Sequence, residues 1–171
     1  MRLPSTLGST IAASAATFTA VVAVVIAVWD NVQTREHNRL SVLPYVVIQR
    51  TQQQEGEGGT ATITMSNEGV GPAILQSVEI RVPTATGRDT VVSEWGAAAP
   101  YIQRMGLGIR GWMDVDSGIA LGVQRSGVLL RAAAEGDSAM IRVQQLLDGL
   151  ALRLRYASIY GQRHEATLGD W

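Results

Sequence analysis

Nineteen consecutive residues without a charge constrain this chain more than any other feature. Residues 11–29 (IAASAATFTAVVAVVIAVW) would form a helix about 28 Å long, close to the ~30 Å hydrocarbon core of a bilayer. Trp29 ends the stretch, where an interfacial aromatic is expected. The pattern predicts a transmembrane helix at 11–29, a short tail at 1–10 and a juxtamembrane helix or linker at 30–42. A cleavable signal peptide is the alternative, but its apolar core is shorter and Val28-Trp29-Asp30 is a poor cleavage site.

Charges near the two ends of this span leave its orientation open. Arg2 and the free amino terminus flank one end, whereas Arg35 and Arg39 flank the other. Because cytoplasmic flanks carry the excess of basic residues, the side-chain count favours a cytoplasmic C-terminal domain in a bacterial inner membrane. Arg35, His37 and Arg39 fall within two turns of a helix leaving the bilayer, so they are candidates for contact with lipid phosphates. The alternative is a merely solvated face, partly neutralised by Glu36.

Small residues recur along one side of the span. Such a stripe lets two transmembrane helices approach closely, which makes it a candidate face for self-association or for docking on another membrane protein. An alanine-rich span without any partner is the alternative. The stripe consists of Gly8, Ala12, Ala16, Ala20, Ala23 and Ala27.

The composition excludes several chemistries. All 14 cationic side chains are arginines, and the chain has neither Lys nor Cys. Lysine is needed for a Walker-type phosphate loop and for Schiff-base chemistry. Cysteine is needed for thiol nucleophiles, thiolate metal sites and disulfides. A net charge of −1 argues against general binding of nucleic acid, and we expect no cofactor.

Residues 43–171 alternate between β-rich segments and turns, which predicts a mainly β fold. About seven short strands with two helical insertions are typical of an antiparallel β-sandwich. The polar tract 52–59 (QQQEGEGG) predicts a mobile turn, and residues 106–118 an irregular glycine-rich loop. Asp89 is a candidate N-cap for a helix at 90–105 that Pro100 would break. The expected strands are 45–49, 60–66, 74–82, 119–124, 128–132, 150–158 and 163–168, and the second helix is 139–147.

The segment 67–73 (NEGVGPA) predicts a structural turn between two strands. Asn67 can bond to its own loop backbone, Gly69 and Gly71 supply positive φ or close backbone approach, and Pro72 fixes the exit. This turn, the juxtamembrane segment 35–44 (REHNRLSVLP) and the segment 156–161 (YASIYG) resemble a group of small bacterial membrane-anchored β-sandwich proteins of unknown function. The resemblance implies the architecture and brings no activity with it.

Two apparent ligand motifs fail in context. Residues 106–111 (GLGIRG) fit the G-x-G-x-x-G pattern, but they follow an expected helix and open none, so nucleotide binding is not expected. Residues 114–118 (DVDSG) begin like a calcium loop, but Gly118 and Arg125 occupy positions that need oxygen ligands. A β-turn is the preferred interpretation there, and we expect no metal site.

The remaining candidates are two histidines and two tryptophans. His37 and His164 lie 127 residues apart and no nucleophile motif accompanies them, so we expect no catalytic residue. Trp95 and Trp112, both in the irregular middle region, either pack in the core or line a binding groove. The sequence therefore predicts a membrane-anchored, non-catalytic binding or assembly module. The alternatives are a subunit that docks through its transmembrane helix and, less favoured, a membrane-surface hydrolase.

Overall fold

The computed structural model describes residues 5–83 and 89–171, with the backbone alone for residues 5–13 and 39–40. The chain divides into two compact units, Met1–Ser41 and Val42–Trp171. The first contains one helix, α1 (Ser5–Leu40). Helix α1 thus begins within the expected tail and continues through the juxtamembrane segment without a break. Its part Ser14–Asn38 is long and apolar enough to cross a membrane.

The second unit is an antiparallel β-sandwich, which confirms the predicted fold class. Sheet A has the order β1-β2-β7-β5, and sheet B has the order β4-β3-β8-β9 with β6 paired to β3. The strands are β1 (Val46–Glu55), β2 (Gly58–Asn67), β3 (Ala73–Val82), β4 (Thr90–Val92), β5 (Gly108–Trp112), β6 (Ala120–Leu121), β7 (Ser126–Ala134), β8 (Ala151–Ala157) and β9 (Arg163–Leu168). Two helices complete the unit, α2 (Trp95–Arg104) and α3 (Ala139–Gly149).

The core fills the space between the two sheets. Period-two alternation puts Ile63 of β2 and Leu152 of β8 inside, because successive side chains of a strand face opposite sides. Helix α2 contributes Trp95, Ala98 and Ile102 to the same cluster. Its other side chains are exposed or half-buried.

The tract 52–59 is a tight hairpin, not the expected mobile turn. Strands β1 and β2 pair without a break from Val46↔Asn67 to Glu55↔Gly58, so only Gly56 and Glu57 form the turn. Gly56 has φ of 60°, as the first central residue of a II′ turn requires. Polar composition suggested a loop, but glutamines are tolerated in a strand whose side chains face water on both sides.

The predicted helix 90–105 is wrong at its start. Residues 90–92 form β4 instead, and Asp89 forms an ion pair with Arg81 at 3.6 Å without capping any helix. The helix begins only at Trp95, and it continues through Pro100. Pro100 is exposed, so the carbonyl that loses its helical hydrogen bond can face water. The sequence also predicts a turn at 84–87, which lies outside the described residues.

Two further expectations fail in the middle of the chain. The glycine-dense loop 106–118 contains β5, which pairs with β7 through a bulge between Ile109 and Gly111. The expected strand 119–124 is reduced to β6, and it lies in a different sheet from the next expected strand, 128–132, because β6 pairs with β3 and β7 with β2. The chain crosses between the sheets there, which no local pattern reveals.

Candidate functional site

The Asn67 side chain joins three parts of the second unit. It is fully buried, and its Oδ1 accepts hydrogen bonds from the backbone N–H groups of Tyr45 (3.2 Å) and Gly69 (3.1 Å). Its Nδ2 donates to the carbonyls of Gly71 (2.8 Å), Leu121 (3.1 Å) and Gly122 (3.3 Å). A side-chain amide has two acceptor sites on its oxygen and two N–H donors, so the hydrogen-bonding capacity of Asn67 is fully used. Asn67 is a buried hub, not only the Asx-turn residue expected from sequence.

The glycines of this turn allow the first segment of the domain to lie directly against it. A Cβ on Gly69 would meet the backbone of Leu43 at 2.5 Å, and one on Gly71 would overlap the Val42 carbonyl. The N–H groups of Val70 and Gly71 donate to the carbonyl of Leu43 at 3.1 and 3.3 Å. Of the two roles that the sequence left open for these glycines, the structure shows close backbone approach and no positive φ. The turn therefore holds the backbone of residues 42–45 in place by close contact and hydrogen bonds.

The two tryptophans do not line a common groove, so that sequence hypothesis is corrected. Trp95 is fully buried in the core, whereas Trp112 is about half exposed. Asp114 connects them, because its Oδ1 accepts from the Trp95 backbone N–H and its Oδ2 from the Trp112 indole, both at 3.1 Å. Asp114 thus has a structural role in the position where the calcium motif began. No group of three His, Asp or Glu side chains within the described chain could hold a metal ion.

The two histidines lie in different surroundings. The His164 ring stacks on the Tyr156 ring with centroids 5.4 Å apart, and its Nε2 is buried without a hydrogen bond among the described residues. His37 is exposed on α1. The glycines of 106–111 lie at the end of α2 and in β5, so they open no helix.

The candidate contacts on α1 remain accessible. Arg35 and His37 are exposed, as are the described members of the small-residue stripe, Ala16, Ala20, Ala23 and Ala27. Gly8, Ala12 and Arg39 lie where only the backbone is described.

The outer face of sheet A contains a groove that sequence reasoning missed. The groove has a volume of about 790 Å³ and crosses β1, β2, β7 and β5. The register pairs Gln53 with Thr60 and Thr62 with Arg131, which places these four side chains in adjacent rows. None of them forms a hydrogen bond or ion pair within the described part of the chain. The available signal is the alternation of Thr60, Thr62 and Thr64 with apolar residues, which predicts only that these threonines face solvent.

One ion pair marks the rim of this groove. Arg110 Nη2 lies 3.2 Å from Glu135 Oε1, and both side chains are largely exposed. Glu55 and Glu57 also line the groove, at its hairpin end. An exposed pair of this kind contributes little to stability, on the order of 0–1 kcal/mol. This pair therefore does little to fix the rim in one arrangement.

The outer face of sheet B differs because its charges neutralise one another. Arg155 contacts Glu79 at 2.7 Å and Glu165 at 3.8 Å, and Arg153 contacts the same two carboxylates at 3.5 and 3.3 Å. The Trp171 ring covers Arg153, with 4.2 Å from the guanidinium carbon to the ring centroid. Two arginines and two glutamates of this face are thus paired with one another.

Comparison with known proteins adds no relative. No protein-family model matches the chain, and no curated protein matches its sequence. The interpretation of the groove therefore depends on its geometry and chemistry alone.

Proposed function

We propose that this protein is a membrane-anchored, non-catalytic binding module whose ligand occupies the groove on the outer face of sheet A. The observation that carries the proposal is a row of four polar side chains that have no partner among the described residues: Gln53, Thr60, Thr62 and Arg131. Hydroxyl, amide and guanidinium groups together offer both donors and acceptors to a ligand. The sheet positions them rigidly, as binding sites require.

The groove favours binding over catalysis. Its lining contains neither histidine nor cysteine. Of its three carboxylates, Glu135 is engaged by Arg110, and Glu55 and Glu57 lie at the hairpin end. A nucleophile needs an adjacent base within hydrogen-bond reach, and the groove threonines have no such neighbour. The volume is in the range of small-ligand sites, ~300–1,000 Å³, and the lining suits a polar ligand.

Anchoring by α1 would hold this groove near a membrane, which we propose is the bacterial inner membrane with the domain on its cytoplasmic side. At 1.5 Å per residue, Arg35 lies about 9 Å beyond Trp29 along the helix and Arg39 about 15 Å. The headgroup layer on each side is only about 5–7 Å thick. Arg35 is therefore the best placed of the three proposed lipid contacts, followed by His37.

A photo-cross-linking amino acid at Thr60 tests the groove in intact membranes. We expect a discrete adduct that disappears when Arg131→Gln is added, because the ligand then loses its guanidinium contact. Arg163→Gln is the matched control, since Arg163 is exposed on β9 of the other sheet. An adduct that forms equally in both variants, or no adduct at all, would contradict the proposal.

A second candidate function is docking in a larger membrane complex through the small-residue stripe of α1. It is favoured by the exposure of Ala16, Ala20, Ala23 and Ala27 on one side of the helix. Ala16→Leu with Ala20→Leu should reduce the size of the detergent-extracted assembly. Val25→Leu, on the opposite side of the helix, is the control. Unchanged assembly size in the double variant would exclude this interface.

A further inference from the structure

The outer edge of β1 is an open strand edge over residues 49–55. Strand β1 is terminal in sheet A, and all side chains from Gln49 to Glu55 are exposed. Its first part is different, because Val46 and Ile48 are buried. Strand β9 and helix α3 also contact β1. Natural proteins usually protect such edges, since unpaired backbone groups invite another strand.

The backbone groups that face outward can be identified from two observations. The Val46 N–H donates away from β2, to the hydroxyl of Tyr156 at 3.2 Å. The two-residue hairpin makes Glu55 and Gly58 a hydrogen-bonded pair. Along an antiparallel strand, the backbone N–H and C=O groups of successive residues point alternately toward the partner strand and away from it. Both observations therefore place the backbone groups of Arg50, Gln52 and Gln54 on the outer edge of β1. Within the described chain, no backbone hydrogen bond reaches these outward groups.

The other sheet edges lack a comparable open stretch. Strand β5 has five residues and a bulge, and α2 packs beside it. Strand β4 has only three residues, and β9 has six and lies close to β1. Residues 49–55 thus form the longest regular free edge among the described strands.

The geometry points to a second copy of this chain as the occupant: the β1 edges of two copies pair antiparallel, which joins their sheets A. When Gln52 of one copy lies opposite Gln52 of the other, Arg50 of each copy lies opposite Gln54 of the other. The outward backbone groups of all three residues then take part in the pairing. Glutamine amides both donate and accept, so they are matched to themselves. No like charges meet, and Arg50 is already held by the Leu147 carbonyl (2.6 Å) and by Asp148 (3.9 Å).

A second copy can also meet this edge at the same height above the bilayer. This step depends on the proposed membrane anchoring. Each domain follows its own α1 by a few residues, so two anchored copies present the same edge at similar height in one bilayer. Confinement raises the effective concentration of one edge near the other. The pairing is isologous, as in most two-fold dimers.

Cysteine cross-linking of the full chain in membranes tests this dimer without background, because the chain has no native cysteine. Thr51→Cys places thiols within ~8 Å of each other across the pair, within reach of a short bismaleimide. We expect a covalent dimer from Thr51→Cys and none from Gln103→Cys, which is exposed on α2. Equal cross-linking at both positions, or none at Thr51→Cys, would overturn the inference.

Substitutions of Gln52 that block backbone pairing distinguish a paired β1 edge from chance proximity of two copies in the membrane. Adding Gln52→Pro removes an outward N–H without removing a bond to β2, whereas the control Gln52→Thr keeps that N–H. Adding Gln52→Lys leaves the backbone intact and sets two like charges opposite each other, which should lower the cross-linked fraction at least about fivefold. Cross-linking that survives both Gln52→Pro and Gln52→Lys would refute the pairing. The adduct at Thr60 should persist in these variants, so failure of the dimer is distinguishable from failure of the groove.

Discussion

Replacing Asn67 with alanine should strongly destabilise the second unit. The change removes both acceptor bonds to the N–H groups of Tyr45 and Gly69, and all donor bonds to three carbonyls. A buried group left without a partner costs about 1–3 kcal/mol. Two orphaned N–H groups and the under-satisfied carbonyls together imply a loss of about 3–5 kcal/mol. Typical domains have only about 5–15 kcal/mol of stability.

Asn67→Asp separates this hub from a simple Asx-turn. Aspartate keeps both acceptor bonds, so an Asx-turn would tolerate it. In the hub, a carboxylate would face the carbonyl oxygens of Gly71 and Leu121, both within 3.1 Å of the present Nδ2. We therefore expect Asn67→Asp to be at least as destabilising as Asn67→Ala.

The assay is urea unfolding of the full chain in detergent, followed by tryptophan fluorescence. Ser66→Ala is the control, because its hydroxyl reaches only the exposed Glu68 carboxylate, at 2.7 Å. It should stay within about 0.5 kcal/mol of the parent chain. A loss below about 1 kcal/mol for Asn67→Ala, or a fully stable Asn67→Asp, would refute the hub.

Three further substitutions test the local geometry. Gly71→Ala should cost about 1–3 kcal/mol, because its methyl group meets the Val42 carbonyl, and limited proteolysis should then cut the released residues 42–45 faster. Gly96→Ala should stabilise by about 0.5–1 kcal/mol in the same unfolding assay, since it lies in α2 and a Cβ there meets nothing within 4 Å; a loss of stability would contradict this. Asp114→Ala should cost about 1–2 kcal/mol and change the emission of Trp112, and an unchanged spectrum would argue against the observed hydrogen bond.

Period-two patterns identified the sandwich because each strand buries one face. Ala61, Ile63 and Met65 alternate with threonines, and all three are buried as that pattern requires. The apolar residues of β8, such as Leu152 and Leu154, gave the same signal. One-sided burial leaves a local trace in the sequence, so these strands could be predicted from it.

Strand β1 and helix α2 could not be predicted correctly from local sequence patterns. The glutamines at 52–54 are paired only with β2 and carry no burial pattern, so nothing local distinguishes them from a loop. No local pattern distinguishes Trp95 from Trp112, because only tertiary packing buries Trp95 at the start of α2 and leaves Trp112 about half exposed at the end of β5. The groove could not be predicted either, because it depends on the register that brings Arg131 of β7 beside Thr62 of β2.

Alkaline carbonate extraction most directly tests the central claim, that a folded binding domain is anchored by α1. The full chain should remain in the membrane pellet. A chain beginning at Val42, the first residue of the second unit, should appear in the supernatant and unfold cooperatively. Release of the full chain into the supernatant, or the absence of folded structure in the shortened chain, would contradict the account.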